Sequence, residues 1–472
     1  KEIENVRLSW IRAVKSHNWS YIDRAMEGVY LFYNTYGWAI EGEAVFNVAV
    51  EAFQPLFAAD SHLADAHKLT FARLLIRHNS FLINMYQKDR PRQQMELARP
   101  LIEALAPAHE RARLIIHDSM IAPPDRHEAL LDELVALCAE LRKSGDEWTL
   151  SQALTHLSIH RDSLFEHRYA EEAGEIARRI GNRRVLVELL DAMGTKAQML
   201  GDYPTAREKF LEGLAISRQV NYRWGLALSL DYAGYACRLM GDYDDARRLH
   251  EESLQVSREI DDRLGIAGSL DNLGLVSLDL GQYDQAAEYF RSGLAIREQV
   301  NDVYSIQVSV ENLAFAHLGL GELEEASENF TRSLALAEEI GFHWGWIRTL
   351  GGMISLSTRR ADIAAAVRLS RQLDEFIRET AVHLQSTSIT LLLFVLSEIF
   401  LARGEPEKAI PLLQTTIRRR ETWAGMRQKA ERLLADARAA AGVGGLDSTS
   451  PDEPISTQAC LDRIRAALDT LA

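Results

Sequence analysis

The 472-residue sequence holds little cysteine: Cys138, Cys237 and Cys460 are its three, and they stand far apart. An odd count at such spacing excludes a disulfide framework and suits a reducing compartment, so a cytoplasmic location is expected. Proline is scarce too, at 11 residues, and much of it punctuates helix junctions, as a mostly helical chain requires. No apolar run approaches the ~20 residues that a membrane span needs, and the stretch from Ile389 to Leu401 is broken by Ser397 and Glu398. Basic residues are outnumbered, Lys+Arg 53 against Asp+Glu 68, for a formal charge of −15. Phosphate neutralisation needs the opposite balance, so nucleic acid is not an expected partner. A basic group at Arg178, Arg179, Arg183 and Arg184 reads as a solvated helix end near a C-terminal dipole. No signal peptide is visible, and the chain starts at Lys1 rather than Met, so it is expected to be cut from something longer.

Catalytic signatures are missing as well. There is no Gly-x4-Gly-Lys-Ser/Thr phosphate loop, no Gly-x-Ser-x-Gly elbow and no His-Glu-x2-His helix, so no enzyme, cofactor or metal is expected. His156 and His160 lie one helical turn apart with Asp162, Glu166 and His167 nearby. Such pairs occur by accident on many helices, and no spaced cysteine supports a metal here. Cys237 aligns with Ala197, Ser277 and His317 in an inward-packing row and has no identifiable base, so it reads as a small buried residue.

What is present is a repeat of 40 residues between Gly181 and Gly341. Gly201-Asp202-Tyr203, Gly241-Asp242-Tyr243, Gly281-Gln282-Tyr283 and Gly321-Glu322-Leu323 stand in register. Ala206, Ala246, Ala286 and Ala326 follow each Gly by five residues, and Gly194, Gly234, Gly274 and Ala314 precede it by seven. Phe210, Phe290 and Phe330 fall nine residues after it in three of the four blocks. A fixed period of this size means one supersecondary unit stacked on its copies. Both halves of each block, such as Trp224 to Met240 and Asp244 to Ile260, carry apolar residues at helical spacing, so the unit is a helix pair. Gly closes the first helix, Pro204 suits the first turn of the second, and Asn221, Asp261 and Asn301 are expected to cap the next first helix.

A small residue seven before Gly, an aromatic two after it in three of the four blocks and Ala five after it resemble the tetratricopeptide repeat (TPR). The resemblance implies an all-α, right-handed superhelical solenoid of about ten helical hairpins, with leading helices lining a concave groove. At 40 residues the unit exceeds the usual ~34, so each helix is expected to be about three residues longer. The opening, Glu4-Asn5-Val6-Arg7 with Trp10, then Tyr30-Leu31-Phe32-Tyr33, Gly37-Trp38 and Glu41-Gly42-Glu43, looks like the helical arm of signal-transduction ATPases with numerous domains, the STAND class. That resemblance implies a nucleotide-binding module upstream, outside this chain. The expected divisions are a helical arm and opening hairpin at 1–60, degenerate hairpins at 61–180, the regular array at 181–380, a terminal hairpin and closing helix at 381–441, a linker at 442–455 and a capping helix at 456–472.

Within the array, Asp191, Asp231, Asp271 and Glu311 recur at 40-residue spacing on the first helices, which in TPR proteins face the groove. Four carboxylates projected there would make a negative field suited to a basic or amine-bearing ligand. The alternative is that Asp and Asn here, with Asn272 and Asn312 adjacent, bond neighbouring repeats together. One turn on, Thr195, Tyr235, Leu275 and Phe315 do not repeat, nor do Gln198, Arg238, Leu278 and Leu318 after them, as a recognition surface requires. The expected ligand contacts are Asp191, Thr195, Gln198, Asp231, Tyr235, Arg238, Asp271, Leu275, Glu311, Phe315 and Arg348. The expected function is inducer sensing: a peptide, protein or small molecule binds the groove and relieves inhibition of the upstream ATPase module. The alternative is a constitutive scaffold or chaperone-like adaptor, which paired Lys/Arg clamps would favour and the acidic row lacks.

Overall fold

The structure is a computed structural model that describes residues 2–36, 38–59, 63–84, 89–161, 168–219, 223–379, 382–419, 422–442 and 456–471. Among the described residues there are 23 helices and no strand. The first nine are α1 (Glu2–Lys15), α2 (Trp19–Tyr36), α3 (Ala39–Ala59), α4 (Asp65–Asn84), α5 (Asp89–Leu105), α6 (Ala108–Ile121), α7 (Pro124–Ser144), α8 (Glu147–His160) and α9 (Arg168–Ile180). The regular array supplies α10 (Arg183–Met199), α11 (Tyr203–Gln219), α12 (Arg223–Met240), α13 (Tyr243–Glu259), α14 (Arg263–Asp279), α15 (Tyr283–Val300), α16 (Val303–Leu320), α17 (Leu323–Ile340), α18 (His343–Arg359) and α19 (Ile363–Glu379). Then come α20 (Val382–Ala402), α21 (Pro406–Arg418), α22 (Ala424–Ala440) and α23 (Thr457–Thr470).

The hairpins form because the sequence stops and restarts the helix at fixed points. Gly201, Gly241, Gly281 and Gly321 all take φ between 72° and 89°, the left-handed region that closes a helix and that a Cβ disfavours. The other junction works differently from the expectation. Asp261 and Asn301, both at φ 55°, close the preceding helix rather than cap the next. Capping passes to the following residue: Asp262 accepts from the Gly265 amide at 3.0 Å and Asp302 from the Ser305 amide at 3.2 Å. Asn221, Gly37 and residues 443–455, where a cap, a junction and most of the linker were expected, lie outside the described residues.

Two compact units divide the chain. The first comprises Lys1–Gly194, Lys209–Leu230 and Gln255–Gly265. One of its apolar cores gathers Trp10, Phe46, Phe53, Phe71 and Phe81, and another Leu131, Leu134, Leu154, Leu157 and Ala173. Trp10 also donates its indole N–H to the Val45 carbonyl at 3.1 Å, so the ring is buried without an orphan donor. Charge is buried here too: Arg77 on α4 grips Glu110 on α6 through two bonds of 2.6 and 2.7 Å, and Glu27 on α2 at 2.9 Å.

The second unit comprises Thr195–Glu208, Asp231–Leu254 and Ile266–Ala472. Its hairpins lock through the small residues of the repeat. A Cβ on Gly274 would stand 2.5 Å from the Phe290 ring, so only glycine lets α15 lay that ring against α14. A larger core follows, from Ile347 and Leu350 through Leu393 and Phe400 to Leu413. α23 packs on α19, α20 and α21 and adds Cys460, Ile464 and Leu468 to that core.

Candidate ligand-binding face

The acidic row is the most regular polar feature of the array, and the structure shows what its members touch. In the first unit Asp191 is buried on α10, and a Cβ on Gly213 would come within 3.3 Å of its Oδ1. Burial, then the charge of Glu188, pushes its carboxyl well above the ordinary range. In the second unit Asp231 on α12 is half-buried: its Oδ1 meets His250 Nδ1 at 2.8 Å and its Oδ2 accepts from Ser269 Oγ of α14 at 2.8 Å. Asp271 is buried on α14, and its Oδ2 accepts from Ser309 Oγ of α16 at 2.9 Å and from Arg297 Nη1. Each of these two carboxylates thus accepts a hydroxyl from the residue 38 positions on, in the next first helix.

Glu311 breaks the pattern. Its counterpart hydroxyl, Thr349, lies 2.7 Å from Ser333 Oγ instead, and Ser333 also accepts from Gln307 Nε2 at 2.9 Å. Glu311, only 1% exposed, takes no hydroxyl from the next first helix, and Arg348 Nε stands 3.4 Å from its Oε1. Burial pushes the Glu311 carboxyl up to about 7, against the pull of Arg348 and a hydrogen bond from Gln307.

The expectation of four carboxylates projecting into open space therefore needs correction. Asp191, Asp271 and Glu311 are buried, and Asp231 and Asp271 join successive hairpins. The physical reason is economy of polar satisfaction: a buried carboxylate needs donors, and the next hairpin's hydroxyl is the nearest one. The sequence carried this signal, because Ser229, Ser269, Ser309 and Thr349 keep the same 40-residue register. His250 was a second unread signal. It occupies the Phe position of its block, and Gly234, where a Cβ would stand 2.8 Å from the imidazole, makes room for it.

The non-repeating row is different. Tyr235, Leu275, Phe315 and Arg348 are all half-buried in the second unit, on α12, α14, α16 and α18. Phe315 meets Phe330 edge-on with centroids 5.1 Å apart, and Arg348 Cζ lies 5.8 Å from its centroid. Arg348 also donates Nη2 to Asn312 Oδ1 at 3.1 Å, so Glu311, Asn312 and Phe315 hold its guanidinium from three sides. Leu275 packs on the core of Ala286, Phe290 and Leu313. Thr195 and Gln198 are half-buried on α10 in the same unit. Arg238, expected to reach a ligand, is instead buried: its Nη1 donates to Asp279 Oδ2 at 2.6 Å, and its Cζ lies 4.7 Å from the Tyr235 ring centroid.

The histidines expected not to hold a metal sit in the first unit. His156 Nε2 lies 2.7 Å from Ser119 Oγ, and the His160 and His156 rings are 4.5 Å apart. Asp162, Glu166 and His167 lie outside the described residues, and among the described residues no group of three His, Cys, Asp or Glu is placed to hold a metal ion. Cys237 is buried, and burial raises its thiol pKa, with Arg207 acting the other way. No helix among the described residues is long and apolar enough to cross a membrane.

The tetratricopeptide repeat family matches residues 226–299. That stretch is made of tetratricopeptide repeats. No curated protein matches the chain. Among solved structures, a Rap protein complexed with competence and sporulation factor shares 14% identity at a TM-score of 0.44, covering 98% of this chain and 99% of that one. A STAND protein with a tetratricopeptide repeat sensor from Pyrococcus horikoshii shares 15% identity at a TM-score of 0.46, over 70% of this chain and 51% of that one. NprR in complex with its cognate peptide NprX shares 14% identity at a TM-score of 0.43, over 79% of this chain and 96% of that one.

Proposed function

We propose that this tetratricopeptide-repeat chain is a sensor region whose ligand, a peptide, binds the first-helix face around Phe315 and Arg348. On this reading it controls a STAND-type nucleotide-binding module outside the chain, in a reducing, cytoplasmic compartment. The observation that carries it is the contrast between two rows on the same helices. The repeating row is buried at three of its four positions, and Asp231 and Asp271 bond one hairpin to the next, whereas the row one turn away varies and stays half-buried throughout. A constant scaffold presenting variable side chains is what selective recognition requires. Arg348, oriented by Glu311 and Asn312 and backed by Phe315, is the part of that face best prepared for a polar ligand group.

Sensing needs a second element, a joint that the ligand can bias. The hydroxyl-to-carboxylate bonds between successive hairpins supply it, because small changes at each add along an array of nearest-neighbour contacts. The upstream module is supported by the STAND-like opening residues, of which Trp10 and Tyr33 are buried in the first unit's core.

The test is selection from a random peptide library displayed on phage. The parent chain should enrich a consensus, and Phe315→Ala combined with Arg348→Ala should lose at least tenfold of that binding with helicity unchanged. Equal enrichment by the double variant would place the site elsewhere.

A further inference from the structure

In a stack of hairpins each helix meets its neighbours in the chain, and α22 of the second unit departs from that rule. It packs on α21 and buries Met426, Ala430 and Ala437 in the core that runs from Ile347 to Leu413. Its first turn goes elsewhere. A Cβ on Gly425 would stand 2.5 Å from Asp279 Oδ1, at the last residue of α14, and a Cβ on Gly241, just past α12, would stand 3.1 Å from that of Ala424.

The residues met there belong to the first-helix face. Asp279 follows Leu278 of the non-repeating rows, and its Oδ2 accepts from Arg238, whose Cζ lies 4.7 Å from the Tyr235 ring centroid. Farther along the same face Ser355, which continues the row of Tyr235, Leu275 and Phe315, donates to Glu398 of α20 at 2.5 Å. α16 and α18, with Phe315 and Arg348, stand between α14 and α20 in the array. A helix anchored on α21 and touching the end of α14 therefore bridges the face that these helices line.

The bridge is fixed at one place and light at the other. Met426, Ala430 and Ala437 are all buried and serve as the anchor. Ala424 and Gly425, at the tip, have too little side chain to bury much apolar area. Trp423 at the N-cap gives the first turn no side-chain acceptor, so what meets that turn is the Asp279 carboxylate, a favourable but salt-screened contact.

We propose that α22 is a strap over the ligand face: its first turn, seated on Asp279 and Gly241, closes one mouth of that face, and lifting it admits a bulky ligand. This rests on the reading that the face around Phe315 and Arg348 takes a peptide, and it names the step that regulates entry. Closed and open forms differ by one small contact, so a ligand that fits only the open form shifts the balance at little cost.

The experiment uses the full chain with Asn272→Cys, a half-buried position on α14, as reporter. The native cysteines are buried, so labelling at position 272 is read by mass spectrometry of its peptide. Two probes are compared, N-ethylmaleimide and a maleimide carrying a polyethylene glycol chain. Gly425→Leu cannot seat the first turn on Asp279, and it should speed the bulky label at least tenfold while changing the small one less than twofold. Amide exchange should rise across 424–428 and stay unchanged in α16. Should Gly425→Leu lose helicity, Ala424→Glu keeps the helix and repels Asp279, with the same result expected. A bulky label as fast in the parent as in the variants overturns the proposal, because the mouth is then open already. Equal acceleration of both probes overturns it too, since the unit would then have loosened as a whole. No ligand enters these measurements: size-selective labelling together with library binding that survives the Phe315→Ala and Arg348→Ala double variant would sink only the broader reading, and the reverse only this one.

Discussion

Glu110 in the first unit and Glu311 in the second are both buried glutamates, 2% and 1% exposed, and their surroundings drive them in opposite directions. Burial opposes the charge of Glu110, but the hydrogen bonds and charge of Arg77, with Arg113 and Arg73, outweigh it and hold the carboxyl at about 2. Glu311 has Arg348 at 3.4 Å and no bidentate grip, so burial wins and the carboxyl rises to about 7. The first unit balances buried charge with buried charge. The second gives Asp231 and Asp271 a hydroxyl each beside His250 and Arg297, and leaves Glu311 with neither a hydroxyl nor a close cation, so there burial is not offset. A network of the first kind fixes a scaffold, while one of the second kind sits near the point where protonation, a donor or a ligand changes it.

The largest effect should come from Arg77→Met, which leaves the buried Glu110 with only its outer partners. Loss of about 3–5 kcal/mol is expected by urea unfolding, with most of it restored when Glu110→Leu is added. If the single variant cost no more than a surface change, the charge-for-charge account of the first unit would be wrong. Ser309→Ala removes the hydroxyl from Asp271 and should cost about 1–2 kcal/mol, and Ser269→Ala a similar amount at Asp231. Changes much below that would mean that Arg297 and His250, not the inter-hairpin hydroxyls, satisfy these acids.

Smaller, and opposite in sign, is Glu311→Gln. At pH 8 the ionised carboxylate is the costly form, so the amide should stabilise the second unit by about 1 kcal/mol, whereas at pH 5 it should change little. Thermal melts at the two pH values check this, and a destabilisation at pH 8 would show that the Arg348 ion pair outweighs burial.

Much of this was legible before the structure. Helix pairing followed from apolar spacing and from the glycines at Gly201, Gly241, Gly281 and Gly321, because a left-handed residue at a fixed period has one use. Caps were misplaced by one residue at Asp261 and Asn301, since Asn and Asp serve both as left-handed closers and as N-caps, and only φ separates the two. The acidic row was visible, but its burial was not, because a half-exposed and a buried first-helix position share the same period. The hydroxyl register of Ser269 and Ser309 would have told them apart. The Arg77–Glu110 pair lay hidden in hairpins that had lost the register, and the seat of Gly425 on Asp279 joins residues with no local pattern between them.

The smallest effect sharpens the comparison most, because the two units should answer mild acid with opposite signs. His117 and His156 are held neutral near 3 in the first unit, chiefly by burial, then by Arg113 and Arg77 for His117 and by His160, His117 and His127 for His156. The unfolded chain takes protons there from about pH 6.5 downward while the folded one does not, so stability in the first unit falls as pH drops through that window. Glu311 behaves in reverse. Its folded form holds a proton up to about 7 and its unfolded form only to about 4.5, so the stability it contributes is present at low pH and lost as pH rises through 7. Lowering the pH from 7.5 to 6.0 should shift each site by about 1 kcal/mol. After correction for intrinsic rates, amide exchange in α8 should speed up while exchange in α16 slows. Parallel movement of both helices would mean that buried charge is balanced in the same way in the two units, and the distinction between scaffold and switchable row would fall.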